Sequence, residues 1–93
     1  MNRDALITEL KKRYPNKMFK TTEEFGIEEG GVWTSGEDRE QLHAGLPLFN
    51  YYSQDGGSKS YIFGVRTFLH SWLEEQGWAC EWYDAGTVMI WKL

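Results

Sequence analysis

The chain has 93 residues, of which 41% are hydrophobic and 26% are charged, and its formal net charge is −4 at pH 7. These values predict one soluble globular domain spanning residues 1–93, too small for a sizeable enclosed active site. The absence of any stretch near 18 apolar residues excludes a membrane-spanning helix. The lone cysteine, Cys80, excludes an internal disulfide, and no signal-like apolar run occurs near the start, so we expect a cytoplasmic protein.

The first predicted element is an amphipathic helix over residues 3–13. Leu6, Ile7, Leu10 and Tyr14 fall on one apolar stripe at helical spacing. Asn2 is placed to cap the first turn, and the proline after Tyr14 disfavours further helix. The basic residues at the end of this segment suit the negative end of the helix dipole, so they need no nucleic-acid role.

The next third of the chain, residues 16–47, alternates short candidate elements with breaks. Residues 17–20 and 32–34 are predicted to be short strands. Thr21 and Glu24 have the spacing of a capping box, which predicts one helical turn over residues 22–26. A second capping pattern predicts a turn of helix over residues 37–44.

Two elements are predicted in the aromatic stretch that follows. Residues 48–63 read as a hairpin, because the turn chemistry of residues 54–57 separates two segments rich in aromatic side chains. Residues 65–76 read as a helix with an apolar stripe, closed by Gly77. Alternatively, the helix begins near Tyr61 and absorbs the second strand.

Residues 78–92 are predicted to form a second hairpin around the turn at residues 84–86. The predicted register pairs residue 83 with 87, 82 with 88 and 80 with 90. It gives one apolar face, which we expect to pack on the stripe of the 65–76 helix. On that basis Trp72→Ala is expected to cost about 3–5 kcal/mol.

Together these elements predict a small α+β domain. It contains an antiparallel sheet, an N-terminal helix, and a second helix packed against a C-terminal hairpin.

No catalytic, cofactor or metal motif is visible in the sequence. His43 and His70 have no nucleophile at a recognisable spacing, and a structural zinc site needs more Cys and His ligands than the chain contains. The segment at residues 56–59 resembles a phosphate loop only superficially and is explained by a turn. We therefore expect a protein that is not an enzyme and that uses no cofactor or metal.

Charge and aromatic side chains instead predict a contact surface. Residues 21–40 have a net charge of −6, whereas residues 1–20 have a net charge of +4. Solvated loops are the simplest explanation of the acidic run; the alternative is a surface that docks on a basic protein. Such docking should slow steeply as ionic strength rises. The candidate partner-binding residues share an acidic side chain or an aromatic one expected at the surface: Glu28, Glu29, Trp33, Glu37, Asp38, Tyr51, Tyr52 and Trp91.

Three other interpretations of this surface stay open. It mediates self-association, or its aromatic strands stack on single-stranded nucleic acid, or its carboxylates converge into the site of a small hydrolase. The acidic pI of about 5.1 argues against nucleic acid, whose binding depends on cations that contact phosphates.

Three segments carry a resemblance to known proteins: GVWT at 31–34, PLFNYY at 47–52 and WYDAGT at 82–87. They resemble small, aromatic proteins of unassigned function that are encoded by tailed phages and prophages. The resemblance implies a bacterial or phage cytoplasmic setting. It implies no functional residue. The acidic segment and the aromatic side chains beside it favour, as the function, a phage accessory factor or inhibitor that acts by contact.

Overall fold

A computed structural model describes residues 1–26, 29–37, 42–43, 46–53 and 60–93 of the chain. Over these residues the predicted α+β class is confirmed. The first half contains α1 (Arg3–Arg13), β1 (Phe19–Thr21), a 3-10 helix (Thr22–Phe25), β2 (Val32–Ser35), β3 (Leu42–His43) and β4 (Leu46–Pro47). The second half contains a 3-10 helix (Tyr51–Ser53), β5 (Tyr61–Ile62), β6 (Val65–Arg66), α2 (Thr67–Glu75), β7 (Trp78–Asp84) and β8 (Thr87–Lys92).

Among the described residues, four strands form one antiparallel sheet in the order β1-β2-β8-β7, while β3-β4 and β5-β6 form two small hairpins. Both α-helices pack on one side of the sheet, which we call the inner face. Their leucines meet the inner-face side chains in a shared core, as the sequence predicts. The core includes Leu6, Leu10, Phe19, Val32, Leu69, Leu73, Trp78, Val88 and Ile90.

The helix α1 forms as predicted. The Ala5 amide donates to Asn2 Oδ1 at 2.8 Å, and Leu6 and Leu10 are fully buried. The predicted turn of helix after residue 21 is also present, as the 3-10 helix with its capping box.

The β7–β8 hairpin confirms most of the predicted register. Trp82 pairs with Val88 and Cys80 pairs with Ile90, but Thr87 pairs with Asp84 and not with Tyr83. A β-bulge between Trp82 and Asp84 takes up the extra residue. The bulge lies beside the turn and leaves the inner face apolar up to Trp82.

Two predicted elements are wrong. The 48–63 hairpin does not form, because the β5 strand pairs with β6 across a turn at Phe63 and Gly64, and Tyr51–Ser53 is helical. The proposed turn at 54–57 lies outside the described residues. The predicted turn of helix at 37–44 is also wrong where it is described, since Leu42–His43 is a strand.

The second helix is shorter than predicted and begins at Thr67 rather than 65. Trp72 is only partly buried against the core, and the Arg13 guanidinium lies 4.2 Å from the centre of its ring. We therefore expect Trp72→Ala to cost less than the 3–5 kcal/mol that a fully buried tryptophan would lose.

An ion pair ties α1 to the first 3-10 helix. Arg3 Nη1 donates to Glu23 Oε1 at 2.6 Å and to Glu23 Oε2 at 2.9 Å. Hydrogen bonding to Arg3, with a smaller contribution from the backbone, lowers the pKa of Glu23 to about 2. The pair therefore stabilises the fold above the ordinary carboxyl pKa, and this contribution is lost as the pH falls through about 2.

Arg3→Gln is expected to raise the pKa of Glu23, because its first stabilising donor is removed. A pH titration of the Glu23 carboxyl carbon by NMR measures this directly. Arg13→Gln is the matched control, since it breaks the Arg13–Glu9 pair on the same helix and leaves Arg3 in place. An unchanged Glu23 pKa in Arg3→Gln would contradict the assignment.

Candidate functional site

The outer face of the sheet, opposite the two α-helices, carries large apolar side chains, of which Trp33 and Trp91 are half-buried. Side chains alternate along a strand, so Trp33 on β2 and both Met89 and Trp91 on β8 project away from the inner-face residues Val32 and Ile90. In the described part of the chain both α-helices pack on the inner face. We call Phe25, Trp33, Met89 and Trp91 together the outer aromatic face.

Phe25 joins this face from the first 3-10 helix. The rings of Phe25 and Trp33 are stacked, with their centres 4.1 Å apart and their planes 21° from parallel. The capping box formed by Thr21 and Glu24 sets the turn that brings Phe25 back over β2. Phe25 is 38% exposed, so the stacked pair presents apolar surface to solvent.

Trp91 lies over Gly31, where the neighbouring strand has no side chain. A Cβ on Gly31 would lie 2.5 Å from the Trp91 ring, so only glycine leaves room for it. Met89 pairs directly with Trp33, lies two residues before Trp91 on β8, and is only 1% exposed, although it belongs to the outer side of the sheet. The tryptophans therefore form a packed surface around Met89 and are not isolated side chains.

The acidic residues described in the 21–40 segment form two groups: carboxylates that have a hydrogen-bond or ion-pair partner, and exposed carboxylates that form no ion pair. Glu23 pairs with Arg3, and Glu24 accepts a hydrogen bond from the Thr21 amide at 2.9 Å. Glu29 and Glu37 are exposed, and no ion pair joins either one to a lysine or arginine among the described residues. The predicted site residues Glu28 and Asp38 lie outside the described residues.

A second group of candidate residues lies at the end of the sheet where β2 ends at Ser35. It consists of Tyr51, Tyr52 and Glu37. They line a hollow of about 350 Å³ together with Phe49. Tyr51 contacts Trp82 on the inner face, with ring centres 5.2 Å apart, so this group is not part of the outer aromatic face. The predicted set of site residues is therefore two surfaces and not one.

A second depression, of about 450 Å³, lies between α1 and the edge strand β1. Ile7, Met18, Lys11, Lys20 and Glu24 are among the residues that line it. Its mixture of apolar side chains and charges of both signs does not single out one kind of ligand.

Local packing accounts for Cys80 and His70, whose side chains the structure describes. Burial raises the pKa of the Cys80 thiol to about 12, so the thiol stays protonated and weakly nucleophilic at neutral pH. His70 Nε2 lies 2.6 Å from the Glu74 carboxylate one turn further along α2, an ordinary pairing within a helix. Across the described residues there is no group of three or more His, Cys, Asp or Glu side chains that could hold a metal ion.

The sequence-based set of candidate residues contains Trp33 and Trp91, which the structure places on the outer face, and does not contain Phe25 or Trp82. The capping box signalled the turn that carries Phe25, but no local pattern signals that its ring stacks on β2. Trp82 was assigned correctly to the inner face, yet its contact with Tyr51 joins segments about 30 residues apart in the sequence.

No helix of the described chain is long and apolar enough to cross a membrane. Comparison with protein-family models, with curated proteins and with solved structures finds no match for this chain.

Proposed function

We propose that this chain is a non-catalytic protein-binding module that docks its outer aromatic face on a basic surface of a protein partner. The setting is cytoplasmic, and the role is that of a phage or prophage accessory factor or inhibitor that acts by contact. The proposal rests on one main observation, the Phe25–Trp33 stack beside Trp91 on the side of the sheet away from both α-helices.

Aromatic side chains in packed surface clusters are typical anchors of protein interfaces. Tryptophan and tyrosine supply large contact areas at low entropic cost, and hot spots cluster where water is excluded. Met89 pairs with Trp33 and is 1% exposed, so it fills this face without itself being open to a partner. Apolar side chains that stay open to solvent on a small domain are candidates for an interaction site, and Phe25, with Trp33 and Trp91 half-buried beside it, is 38% exposed.

The charge of the chain favours a basic partner. Glu29 precedes the glycines that lead into β2. Glu81 lies on the edge strand β7 and pairs with Met89 on the neighbouring strand β8. Both carboxylates are exposed. Lys20 adds one positive charge on the outer face, with its ammonium 5.6 Å from the centre of the Phe25 ring, and these two carboxylates outnumber it. Combined with the net charge of −4, this arrangement should accelerate encounter with a positive surface.

Single-stranded nucleic acid is the second candidate, because stacked aromatic rings are also platforms for bases. The low number of cations disfavours it. Lys20 is the basic side chain that the described sheet register places on the outer face, whereas affinity for nucleic acid depends on many cation–phosphate contacts.

A matched pair of variants tests the proposal. Phe25 and Phe68 are 38% and 37% exposed, but Phe68 lies on α2, on the other side of the sheet. Bacterial lysates, with and without nuclease treatment, are passed over immobilised wild type, Phe25→Ala/Trp33→Ala and Phe68→Ala. Proteins held by the wild type and by Phe68→Ala, but not by the double variant, are purified and their binding kinetics are measured.

The double variant is expected to raise the Kd at least about tenfold, because it removes hot-spot aromatic side chains. The on-rate of the wild type should fall as salt increases from about 0.1 to 1 M. The proposal fails if nuclease treatment abolishes all capture, which would favour nucleic acid. It also fails if light scattering shows that the wild type forms a dimer and the double variant a monomer, which would assign the face to self-association.

A further inference from the structure

The hollow at the end of the sheet has the chemistry of a receptor for an organic cation. Its volume is about 350 Å³, enough to admit one long side chain, and its walls include Tyr51, Tyr52 and Glu37. These residues take no part in the outer aromatic face.

Its aromatic walls stand at right angles to each other. The Tyr51 and Tyr52 ring centres are 5.8 Å apart with an interplanar angle of 88°, and Tyr51 in turn packs edge to face on Trp82 at 80°. Trp82 is itself held by a 2.8 Å hydrogen bond from its Nε1 to the carbonyl of Phe63. Tyr51 therefore has a fixed support, while Tyr52, which is 90% exposed, is open to a ligand.

Carboxylates supply a matching negative charge. Glu37 Oε1 and Asp84 Oδ1 lie 4.0 and 3.7 Å from the point that a Cβ on Gly86 would occupy, next to Ala85 in the lining of the hollow. Neither carboxylate forms an ion pair with a lysine or arginine among the described residues. Asp84 lies outside the lining, and its Oδ1 accepts a 2.9 Å hydrogen bond from the Gly86 amide, so Glu37 is the carboxylate that lines the hollow. One carboxylate beside two tyrosines favours a guest that is positively charged and flat or compact.

One ammonium of the chain already lies against this region. Lys17 Nζ is 5.0 Å from the centre of the Phe49 ring and donates a 2.7 Å hydrogen bond to the carbonyl of Ser35. Phe49 is therefore occupied, and the surface left for a guest is formed by the two tyrosines and Glu37.

We propose that this hollow receives a guanidinium or alkylammonium group, carried by an arginine or lysine side chain of the basic partner. The inference rests on the proposed function and names the group that the partner contributes. The faces of Tyr51 and Tyr52 attract the cation, Glu37 neutralises its charge, and the aliphatic part of the side chain lies along Pro47.

The test uses the isolated protein and small probes, so it does not depend on finding the partner. Ethylguanidinium is titrated into the labelled protein and followed by amide NMR shifts, with ethylurea as the uncharged probe of matched shape. Saturable shifts are expected at Glu37, Asn50, Tyr51 and Tyr52 with ethylguanidinium and not with ethylurea. Shifts of equal size with ethylurea, or shifts that do not saturate, would overturn the proposal.

Variants locate the site. Glu37→Gln and Tyr52→Leu are each expected to raise the Kd for ethylguanidinium about threefold, the scale of an exposed cation–π contact or ion pair. Glu75→Gln, at an exposed glutamate on α2, and Phe68→Leu are the matched controls and should leave the Kd unchanged. Because Tyr52 and Glu37 are exposed, neither change should unfold the protein. An effect of the controls as large as that of the site variants would refute the assignment.

A short peptide with one central arginine identifies the source of the cation. Binding at least as tight as that of ethylguanidinium supports a partner side chain, whereas exclusion of the peptide overturns that part of the proposal and assigns the hollow to a free organic cation. If the hollow binds ethylguanidinium while Phe25→Ala/Trp33→Ala leaves partner capture intact, the cation site stands and the proposed docking face fails.

Discussion

Trp78→Ala is expected to lower the free energy of unfolding by about 3–5 kcal/mol, a large part of the stability of a domain of this size. Trp78 is only 2% exposed and begins β7 at the base of the core. Its Nε1 donates a 2.8 Å hydrogen bond to the carbonyl of Met1, which ties the start of the chain to the sheet. The substitution therefore opens a cavity and also releases the segment before α1.

Denaturant unfolding followed by circular dichroism measures this loss. Trp78→Phe separates its two causes, because phenylalanine keeps most of the buried ring but cannot donate the hydrogen bond to Met1. Trp72→Ala is the matched control for a tryptophan that is only partly buried. A loss for Trp78→Ala no greater than that for Trp72→Ala would contradict the packing described for the core.

The second large effect is expected at Gly64, in the turn between β5 and β6. Gly64 has a φ of +79°, and a Cβ there would lie 2.6 Å from the carbonyl oxygen of Asn50 and 3.0 Å from Trp82 Nε1. Gly64→Ala is expected to cost about 2–4 kcal/mol, since it adds a steric clash with a neighbouring backbone to the strain of a left-handed residue.

Gly77 provides the control for Gly64, because it has a similar φ of +86° but no atom within 4 Å of its Cβ position. Gly77→Ala should therefore show the strain alone, about 1 kcal/mol. Thermal and denaturant unfolding of the two variants give the difference. Equal losses at the two positions would mean that the contact with Asn50 contributes nothing.

The elements that the sequence predicts well are those stabilised by local patterns. Three local signals predict the same bounds for α1: the apolar spacing of Leu6 and Leu10, the cap at Asn2 and the proline after Tyr14. In the β7–β8 hairpin, strict alternation around a glycine turn fixes both faces, and only the bulge near Tyr83 is missed.

The 48–63 segment shows where local patterns fail. Its apparent turn chemistry suggested pairing within the segment, whereas the strand-like residues pair with a later part of the chain. The Asn50 amide donates to the Gly64 carbonyl at 2.7 Å, and the Arg66 amide donates to the Leu48 carbonyl at 3.0 Å. Which partner a short strand selects is decided by the whole core, and a window of a few residues does not contain that information.

The same limit applies to the candidate sites. The aromatic residues of the outer face were identified in part because Trp33 and Trp91 lie at alternating positions of predicted strands. The grouping of Glu37 with Tyr51 and Tyr52 depends on how the chain returns after β2, and no spacing in the sequence encodes it. Acidic and aromatic composition therefore predicted the residue types of the sites but not their division between two surfaces.

The bulge beside Tyr83 has a consequence for how copies of this chain behave at high concentration. In the described sheet β7 is an edge strand, and a straight edge offers a row of amides and carbonyls on which a second chain can add. The register shift interrupts that row near the turn, and the exposed carboxylate of Glu81 places a charge on the same strand. Both features oppose edge-to-edge aggregation, so the chain can keep its aromatic surfaces open without also recruiting strands from its neighbours.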